Sequence, residues 1–276
     1  MLDLEVDELT WKDKQLGKTE LLARQHGSDW LLEHMRITNP DGVLTADGKY
    51  HMAEGKKQTQ LNLKLEISNA GKILARSGYP DSVKNGSGKL EGEFVWRGAP
   101  DDFSYAALDG KLSLDTGKGQ FLKIDPGVGK LLGILSLQAL PKHITLDFSD
   151  VFSNGFAFDS ITGTALVKQG VLETNNFKMD GSSAKVTMQG QVDLNRETQN
   201  LRVRILPTVG NSVSLLGAVA AGPVVGIGTF IVNKILREPL DKLVSFEYNV
   251  TGTWVNPNVA KTGQPAAGSI DKKINH

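Results

Sequence analysis

The sequence of 276 residues contains no cysteine, which excludes disulfide bonds and thiolate metal sites. An excess of charge of either sign is also missing. Lysine plus arginine and aspartate plus glutamate number 31 each, so the formal net charge is +0. A nucleic-acid-binding protein needs a basic surplus to neutralise phosphates, and we therefore expect no nucleic-acid partner.

Sequence motifs for catalysis, cofactor binding and metal binding are missing as well. The five histidines lack the close spacing of a helical metal-binding pair. The glycines near lysine and serine form no phosphate-binding loop, dinucleotide fingerprint or nucleophile elbow. We therefore expect no enzyme activity, no metal and no cofactor. One catalytic alternative stays open, a polysaccharide-acting β enzyme, which would need paired acidic residues in a cleft.

Alternation of apolar and polar residues is the main pattern that is present. In QLNLKLEIS, Leu61, Leu63, Leu65 and Ile67 fall on one face of a predicted strand. The N-terminus starts with the same alternation, as though a strand were already under way. Further runs with this period contain Leu112 and Leu114; Ile144, Leu146 and Phe148; Val186, Met188 and Val192; Leu201, Val203 and Ile205; and Val244, Phe246, Tyr248 and Val250.

Turn signals between these runs predict an antiparallel sheet with one apolar face. Residues 21–36 could form a helix, but the interruption at Gly27-Ser28-Asp29 favours two strands. The dipeptides that we interpret as turns are Asp41-Gly42, Asp47-Gly48, Asn85-Gly86, Asp109-Gly110 and Asp180-Gly181, together with Asn195.

Two segments have helical patterns. Residues 128–140 carry leucines at near-helical spacing and end before Pro141. Residues 213–237 lie mostly in a long apolar run, since no charged residue occurs between Arg204 and Lys234. A membrane span, a buried core helix and a lipid-contacting hairpin are all open readings of this run.

The interior of the apolar run favours the hairpin. Gly222-Pro223 divides it into residues 213–221 and 223–237, and proline is favourable in the first turn of a new helix. Each arm is too short to span a bilayer. The side chains expected to contact membrane or lipid are Leu215, Leu216, Val224, Val225, Ile227, Phe230 and Ile231.

Three stretches resemble a known family. GTALVKQGVLETNNFKMDGSSAKVTMQGQVDL (163–194) resembles the recurring C-terminal module of the AsmA-like superfamily. GPVVGIGTFIVNKILREPLDKLVSFEYNVTGTWVNPNV (222–259) and GKLLGILSLQALPKHITLDFSDVFSNGFAFDSITG (129–163) are similar to the end of its YhdP branch. The resemblance is strong over about residues 100–259, because the predicted helices and the terminal strand occur in the family's order.

The resemblance implies a mainly β fold, a long antiparallel sheet curled into an open apolar trough, with two or three short helices near the C-terminal end. We expect one domain over 1–260, with helices at about 128–140 and 213–237, and a disordered polar tail over 261–276. The implied function is the C-terminal end of a periplasm-spanning bridge. Such a bridge carries phospholipid between the inner and outer membranes of a bacterial envelope.

The implied partners are phospholipid, the N-terminal remainder of the same bridge protein, and the inner leaflet of the outer membrane or a protein there. The full-length protein would be anchored in the inner membrane. A non-catalytic envelope module with a closed β-sandwich core is the alternative, since alternation fits both. In the trough reading the lipid-contacting side chains are Leu61, Leu63, Leu65, Leu112, Leu114, Leu146, Val192 and Val203.

Overall fold

One antiparallel sheet of fifteen strands forms nearly all of the protein in the computed structural model. The structure describes residues 1–11, 13–53, 55–122, 155–208 and 245–262. Hydrogen-bonded neighbours follow the chain from β1 to β15, except that β6 and β9 pair with each other beside this path. The sheet is not closed into a barrel, so the predicted fold class is confirmed.

The strands are mostly 8 to 13 residues long. Their bounds are β1 (Leu2–Trp11), β2 (Lys14–His26), β3 (Asp29–Asn39), β4 (Gly42–Ala53), β5 (Lys56–Ile67), β6 (Val83–Asn85), β7 (Gly88–Arg97), β8 (Asp109–Thr116), β9 (Gly119–Phe121), β10 (Phe156–Lys168), β11 (Val171–Gly181), β12 (Ala184–Asp193), β13 (Thr198–Pro207), β14 (Phe246–Thr253) and β15 (Pro257–Lys261).

Strand ends meet at two rims. Rim one contains the β3–β4 turn at Pro40 and Asp41, and rim two contains the β2–β3 turn at Gly27 and Ser28. The two strands predicted within residues 21–36 are confirmed, because β2 and β3 pair from Lys18 to Thr38 around that turn. The predicted turns at Asp41-Gly42 and Asn195 also lie at strand connections, and Asp180-Gly181 ends β11 directly before its connection to β12.

Two predicted turns are wrong. Asp47-Gly48 lies inside β4 and Asp109-Gly110 begins β8. The glycine has a different role there, because a Cβ at Gly48 would lie 2.4 Å from the Gln60 carbonyl oxygen. A Cβ at Gly110 would lie 2.3 Å from the Glu93 carbonyl oxygen. These glycines allow a neighbouring strand to approach closely and do not reverse the chain.

A crease crosses three neighbouring strands near rim one. β6 and β7 are separated at Gly86-Ser87, β8 and β9 at Gly117-Lys118, and β10 carries a register irregularity between Phe158 and Ser160. The β6–β9 pairing on one side of the crease has the same register as the β7–β8 pairing on the other side. The β9–β10 and β8–β10 pairings likewise share one register. The alternation of buried and exposed side chains in β10 shifts by one residue at the crease, so that Phe158 and Ile161, three residues apart, are both buried.

Helix α1 (Ala70–Arg76) is the one α-helix among the described residues, and the sequence pattern did not predict it. The Asn69 side chain caps it by accepting a hydrogen bond from the Lys72 amide at 3.1 Å. Seven residues are too few to show a helical period clearly. A 3-10 turn at Tyr105–Ala107 is equally short.

The predicted helices at 128–140 and 213–237 lie outside the described residues, as does the predicted strand with Ile144, Leu146 and Phe148. In the part of the chain that is described, no helix has the length and apolar character needed to cross a bilayer. The tail expected after residue 260 is described only through Thr262, where β15 has just ended.

The tightly packed core lies in the C-terminal half of the sheet. Its fully buried side chains include Met179, Val186, Ile205 and Tyr248. In β5 the leucines keep partial exposure. The same alternating pattern therefore produces a closed core at one end of the sheet and a partly open apolar surface at the other.

Gly48→Ala and Asp47→Ala test the role of the glycines in strands. We expect Gly48→Ala to lower the free energy of unfolding by about 1–3 kcal/mol, because the Gln60 backbone must move away from the new Cβ. Asp47 is exposed, so Asp47→Ala should change it by less than about 0.5 kcal/mol. Chemical denaturation measures both. Equal losses of unfolding free energy in the two variants would contradict the role of Gly48 in close strand approach.

Ile205→Ala and Leu63→Ala test the division of the apolar surface. Ile205 has 0% exposure, so its truncation leaves a closed cavity and should cost about 2–5 kcal/mol of folding stability. Leu63 is half-buried, and solvent can occupy the space that its truncation leaves. Thermal and urea unfolding should therefore show a clearly smaller loss for Leu63→Ala. An equal loss of stability in both variants would contradict the division of the apolar surface into a closed core and a partly open section.

Candidate functional site

The apolar face of the sheet is the side on which leucines of neighbouring strands meet in lateral rows. Direct pairing fixes these rows, because paired residues point to the same side. One row runs across seven strands from near the N-terminus to the middle of the sheet. Its members are Thr19 in β2, then Ile37, Leu44, Leu65, Leu90, Leu114 and Gly163 in register order.

The side chains predicted to line a trough share this apolar face wherever they are described. A second row starts at Leu61 and reaches Val192 through Phe94, Gly110, Val167 and Leu172. Leu63 and Leu112 both pair with Gly92, and Val203 pairs with Met188 beside Val186. Leu146 lies outside the described residues. The structure thus brings seven of the eight side chains onto one continuous surface.

Exposure divides this surface into two sections. The five leucines of β5 and β8 are half-buried, and at the edge strand β1 the exposed fractions of Leu2 and Leu4 reach 49% and 42%. Val192 and Val203 are each only 3% exposed, within the packed core of β10–β15. Within the described part of the chain, the apolar face from β1 to β8 is therefore more exposed than the face of β10–β15.

Helix α1 covers the apolar face at rim one. Ala70 and Leu74 pack against the buried cluster that contains Val83 and Phe158. The Arg76 guanidinium binds the Asp41 carboxylate at 2.8 Å, and this carboxylate is 4% exposed. The Asp41 carbonyl oxygen also accepts the amides of Ser68 and Asn69. These contacts fasten the helix to the β3–β4 turn.

The loop of residues 98–108 covers part of the apolar face at rim two. The Trp96 indole donates to the Ala99 carbonyl oxygen at 3.0 Å, and the Thr59 hydroxyl donates to the Gly98 carbonyl oxygen at 2.9 Å. Trp96 also stacks edge-on against Phe103, with ring centroids 5.6 Å apart. Sequence alternation did not reveal this covering loop, although Gly98 and Pro100 mark the end of the strand.

The opposite, polar face has a depression of about 1140 Å³ over β4 to β11. Carboxylates lie in its floor, yet lysines are beside them: Glu93 binds Lys111 at 2.9 Å and Glu91 binds Lys89 at 2.8 Å. Such cross-strand and same-strand pairs are typical of a solvated sheet surface. Neither glutamate stands in the apolar, unpaired environment that suits a general acid.

Charged groups at rim two form a separate cluster around Asp29. Its carboxylate lies 2.6 Å from the Lys49 ammonium and 2.5 Å from Nδ1 of His51. The hydrogen bond from Lys49, with a smaller contribution from His51, holds the pKa of Asp29 below its usual range. Among the described residues, no three histidine, aspartate or glutamate side chains gather in a way that could hold a metal ion.

The apolar run with Leu215, Leu216, Val224, Val225, Ile227, Phe230 and Ile231 lies outside the described residues. Its flanking residues are described: β13 ends at Pro207 and β14 begins at Phe246, both at rim one. Phe121 and Phe156, which border residues 123–154, lie at the same rim. The connection from β9 to β10 and the connection from β13 to β14 therefore both leave and rejoin the sheet at rim one, where α1 also lies.

Comparison with known proteins agrees with this architecture. The family model described as YhdP protein matches residues 1–259. The chain is 32% identical over 262 residues to the intermembrane phospholipid transporter YhdP of Escherichia coli (strain K12). This alignment covers 90% of the chain but only 21% of that relative, so the chain spans about a fifth of its length. No solved structure matches. With a family model covering nearly its whole length and an open sheet with one apolar face, the chain belongs to the YhdP family.

Proposed function

We propose that this chain is a phospholipid-carrying segment of an intermembrane lipid-transfer protein. Acyl chains would lie on the apolar face of β1 to β8. The half-buried leucine rows are the observation that carries this proposal, because they form apolar surface that no described element covers completely. The similarity to the E. coli intermembrane phospholipid transporter supports phospholipid as the cargo.

The apolar face has the chemistry that an acyl chain needs. Each methylene removed from water contributes about 0.8 kcal/mol, without any fixed polar ligand. From β1 to β8 the main path contains six strand spacings, and at about 4.8 Å each they make a surface roughly 29 Å long. A bilayer's hydrocarbon core of two leaflets is about 30 Å thick, so the acyl chains of one phospholipid fit within this section.

We also propose that the chain is part of a longer protein, because it spans about a fifth of the length of its E. coli relative. We propose that it is the C-terminal end of a bridge across the periplasm, with the remainder of the bridge continuing the apolar surface. In this reading the protein needs no cofactor and is not an enzyme, since carriage requires only continuous apolar contact. Its further partner would be the inner leaflet of the outer membrane or a protein located there.

The closed core of β10 to β15 has a distinct place in this proposal. Val192 and Val203 continue the leucine rows, but a lipid would contact them only if covering side chains moved. We propose that this section ends the open surface and that the apolar run at residues 213–237 contacts lipid or membrane nearby. After this run the chain rejoins the sheet at rim one through Phe246, which packs against the buried cluster.

Leu63→Asp tests whether acyl chains lie on the apolar face. A carboxylate in hydrocarbon costs about 2.5–3.5 kcal/mol at a bilayer centre, so we expect uptake of labelled phosphatidylglycerol to weaken by at least about tenfold. The neighbouring variant Asn62→Asp adds the same charge to the exposed polar face and should leave uptake unchanged. Mass spectrometry of lipid extracted from the purified chain provides a second readout.

Two results would count against the lipid-carrying role. Equal uptake by Leu63→Asp and Asn62→Asp would show that lipid does not occupy the apolar face. A wild-type chain that neither retains phospholipid nor takes it up would instead favour the non-catalytic envelope module.

Val225→Asp tests the apolar run at residues 213–237. If Val225 contacts lipid, the charge should abolish liposome binding while the melting temperature stays near normal, because the side chain is outside the folded core. Asn211→Asp places the same charge just before the apolar run and serves as the control. A large drop in melting temperature for Val225→Asp alone would assign the run to the protein core.

A further inference from the structure

The composition of the apolar face changes in steps toward rim two. Aliphatic side chains occupy its middle, such as Leu61 and Leu63 in β5. The next lateral row joins Trp30, Tyr50, Thr59 and Trp96 by direct pairing across β3, β4, β5 and β7. One step further out, Met52 pairs with Lys57. The order from middle to rim is therefore aliphatic, aromatic with polar tips, and cationic.

Lys57 is placed to meet a ligand on this face. It lies two residues before Thr59 and four before Leu61, so strand alternation directs all three to the same side. Its carbonyl oxygen accepts the Gly98 amide at 3.0 Å, which fixes the backbone beneath it. Its side chain is exposed beside Met52, itself 47% exposed, and has no ion-pair partner among the described residues.

None of the other described charges near Lys57 forms an ion pair with its ammonium. Asp29 is occupied by Lys49 and His51 on the polar face. The Asp102 carboxylate accepts the Ala99 amide at 3.2 Å within the covering loop, and Asp101 is exposed in the same loop. Arg97 pairs across the sheet with Gln58, so it faces the polar side and adds positive potential near this rim.

Rim one lacks this sequence of side chains. There the rows end at Gly42 and Ile67, and a Cβ at Gly42 would lie 2.8 Å from the Ile73 side chain of α1. The cations of α1 are occupied, because Arg76 and Lys72 both lie near the buried Asp41 carboxylate, at 2.8 and 3.9 Å. The apolar face is thus covered by α1 at rim one, whereas at rim two it is amphipathic and only partly covered by the loop of residues 98–108.

We infer that a phospholipid on this face is oriented along the strands, with its phosphate at Lys57 on rim two and its acyl chains over the leucines of β5 and β8. The inference rests on the proposed function and adds the orientation of the cargo and a head-group contact. Trp30 and Tyr50 lie where the glycerol ester region would be. Tryptophan and tyrosine favour such boundaries, since one part of the ring is apolar and its tip is polar.

The ligand chemistry at Lys57 is a phosphate ester. A lysine ammonium binds phosphate as a compact point charge, and its long aliphatic stem can lie along apolar surface. A lipid with the same acyl chains but no phosphate would keep the contacts to the leucines and lose only the contact to Lys57. Phosphatidylglycerol and diacylglycerol with identical acyl chains therefore form a matched pair of probes.

The test measures binding of both fluorescent probes to the 276-residue chain and its variants. We expect Lys57→Glu to weaken phosphatidylglycerol binding by about fivefold or more, since an exposed ion pair is replaced by repulsion. Diacylglycerol binding should stay unchanged, and Lys57→Arg should retain both. Lys84→Glu makes the same charge change at rim one, where Lys84 is exposed, and should alter neither affinity. The loss for Lys57→Glu should shrink as salt rises.

Three outcomes would overturn the inference. Unchanged phosphatidylglycerol binding in Lys57→Glu would remove Lys57 from the head-group site while leaving lipid carriage intact. Equal weakening of both probes, with a lower melting temperature, would assign Lys57 a structural role. Equal losses in Lys57→Glu and Lys84→Glu would mean a general charge effect. A wild-type chain that binds neither probe would contradict the proposed function itself.

Discussion

Backbone pairing within a single sheet is the constraint on which the other features depend. Each strand hydrogen-bonds to its neighbours in a fixed register, so side chains that are far apart in sequence fall into common lateral rows. Slipping one strand by one residue would move its leucines to the polar face. The continuity of the apolar face is therefore a property of the whole hydrogen-bond ladder, and no single side chain creates it.

Coverage of that face determines what each part of the sheet can do. In β10 to β15 the apolar side chains pack against one another and are buried, which stabilises the fold. In β1 to β8 they remain partly exposed, with α1 over one rim and the loop of residues 98–108 over part of the other. The closed section and the partly exposed section are in this way parts of one continuous surface.

The alternating pattern was sufficient to predict strands such as β5, β8, β12 and β13, the antiparallel class and the shared face of residues such as Leu61, Leu112 and Val203. It was not sufficient to predict how deeply each lies, because burial depends on which elements cover the sheet. The α1 helix has too few residues for a visible period, and Asp47-Gly48 resembles a turn because glycine also serves close strand approach. The change from aliphatic to aromatic to cationic side chains toward Lys57 was not predicted from the sequence. The row that contains Trp30, Tyr50 and Trp96 combines residues from four strands.

The crease near rim one ties three separate stretches of sequence together. At Gly86-Ser87, at Gly117-Lys118 and between Phe158 and Ser160, each strand shifts its alternation while mutual pairing is kept. The shift places Val83, Phe156 and Phe158 in the same buried cluster as Ile161. Losing one residue from a single stretch would leave its two neighbours out of step and turn a phenylalanine toward water. The lengths of these three segments can therefore change only together, although more than 70 residues separate the first from the last.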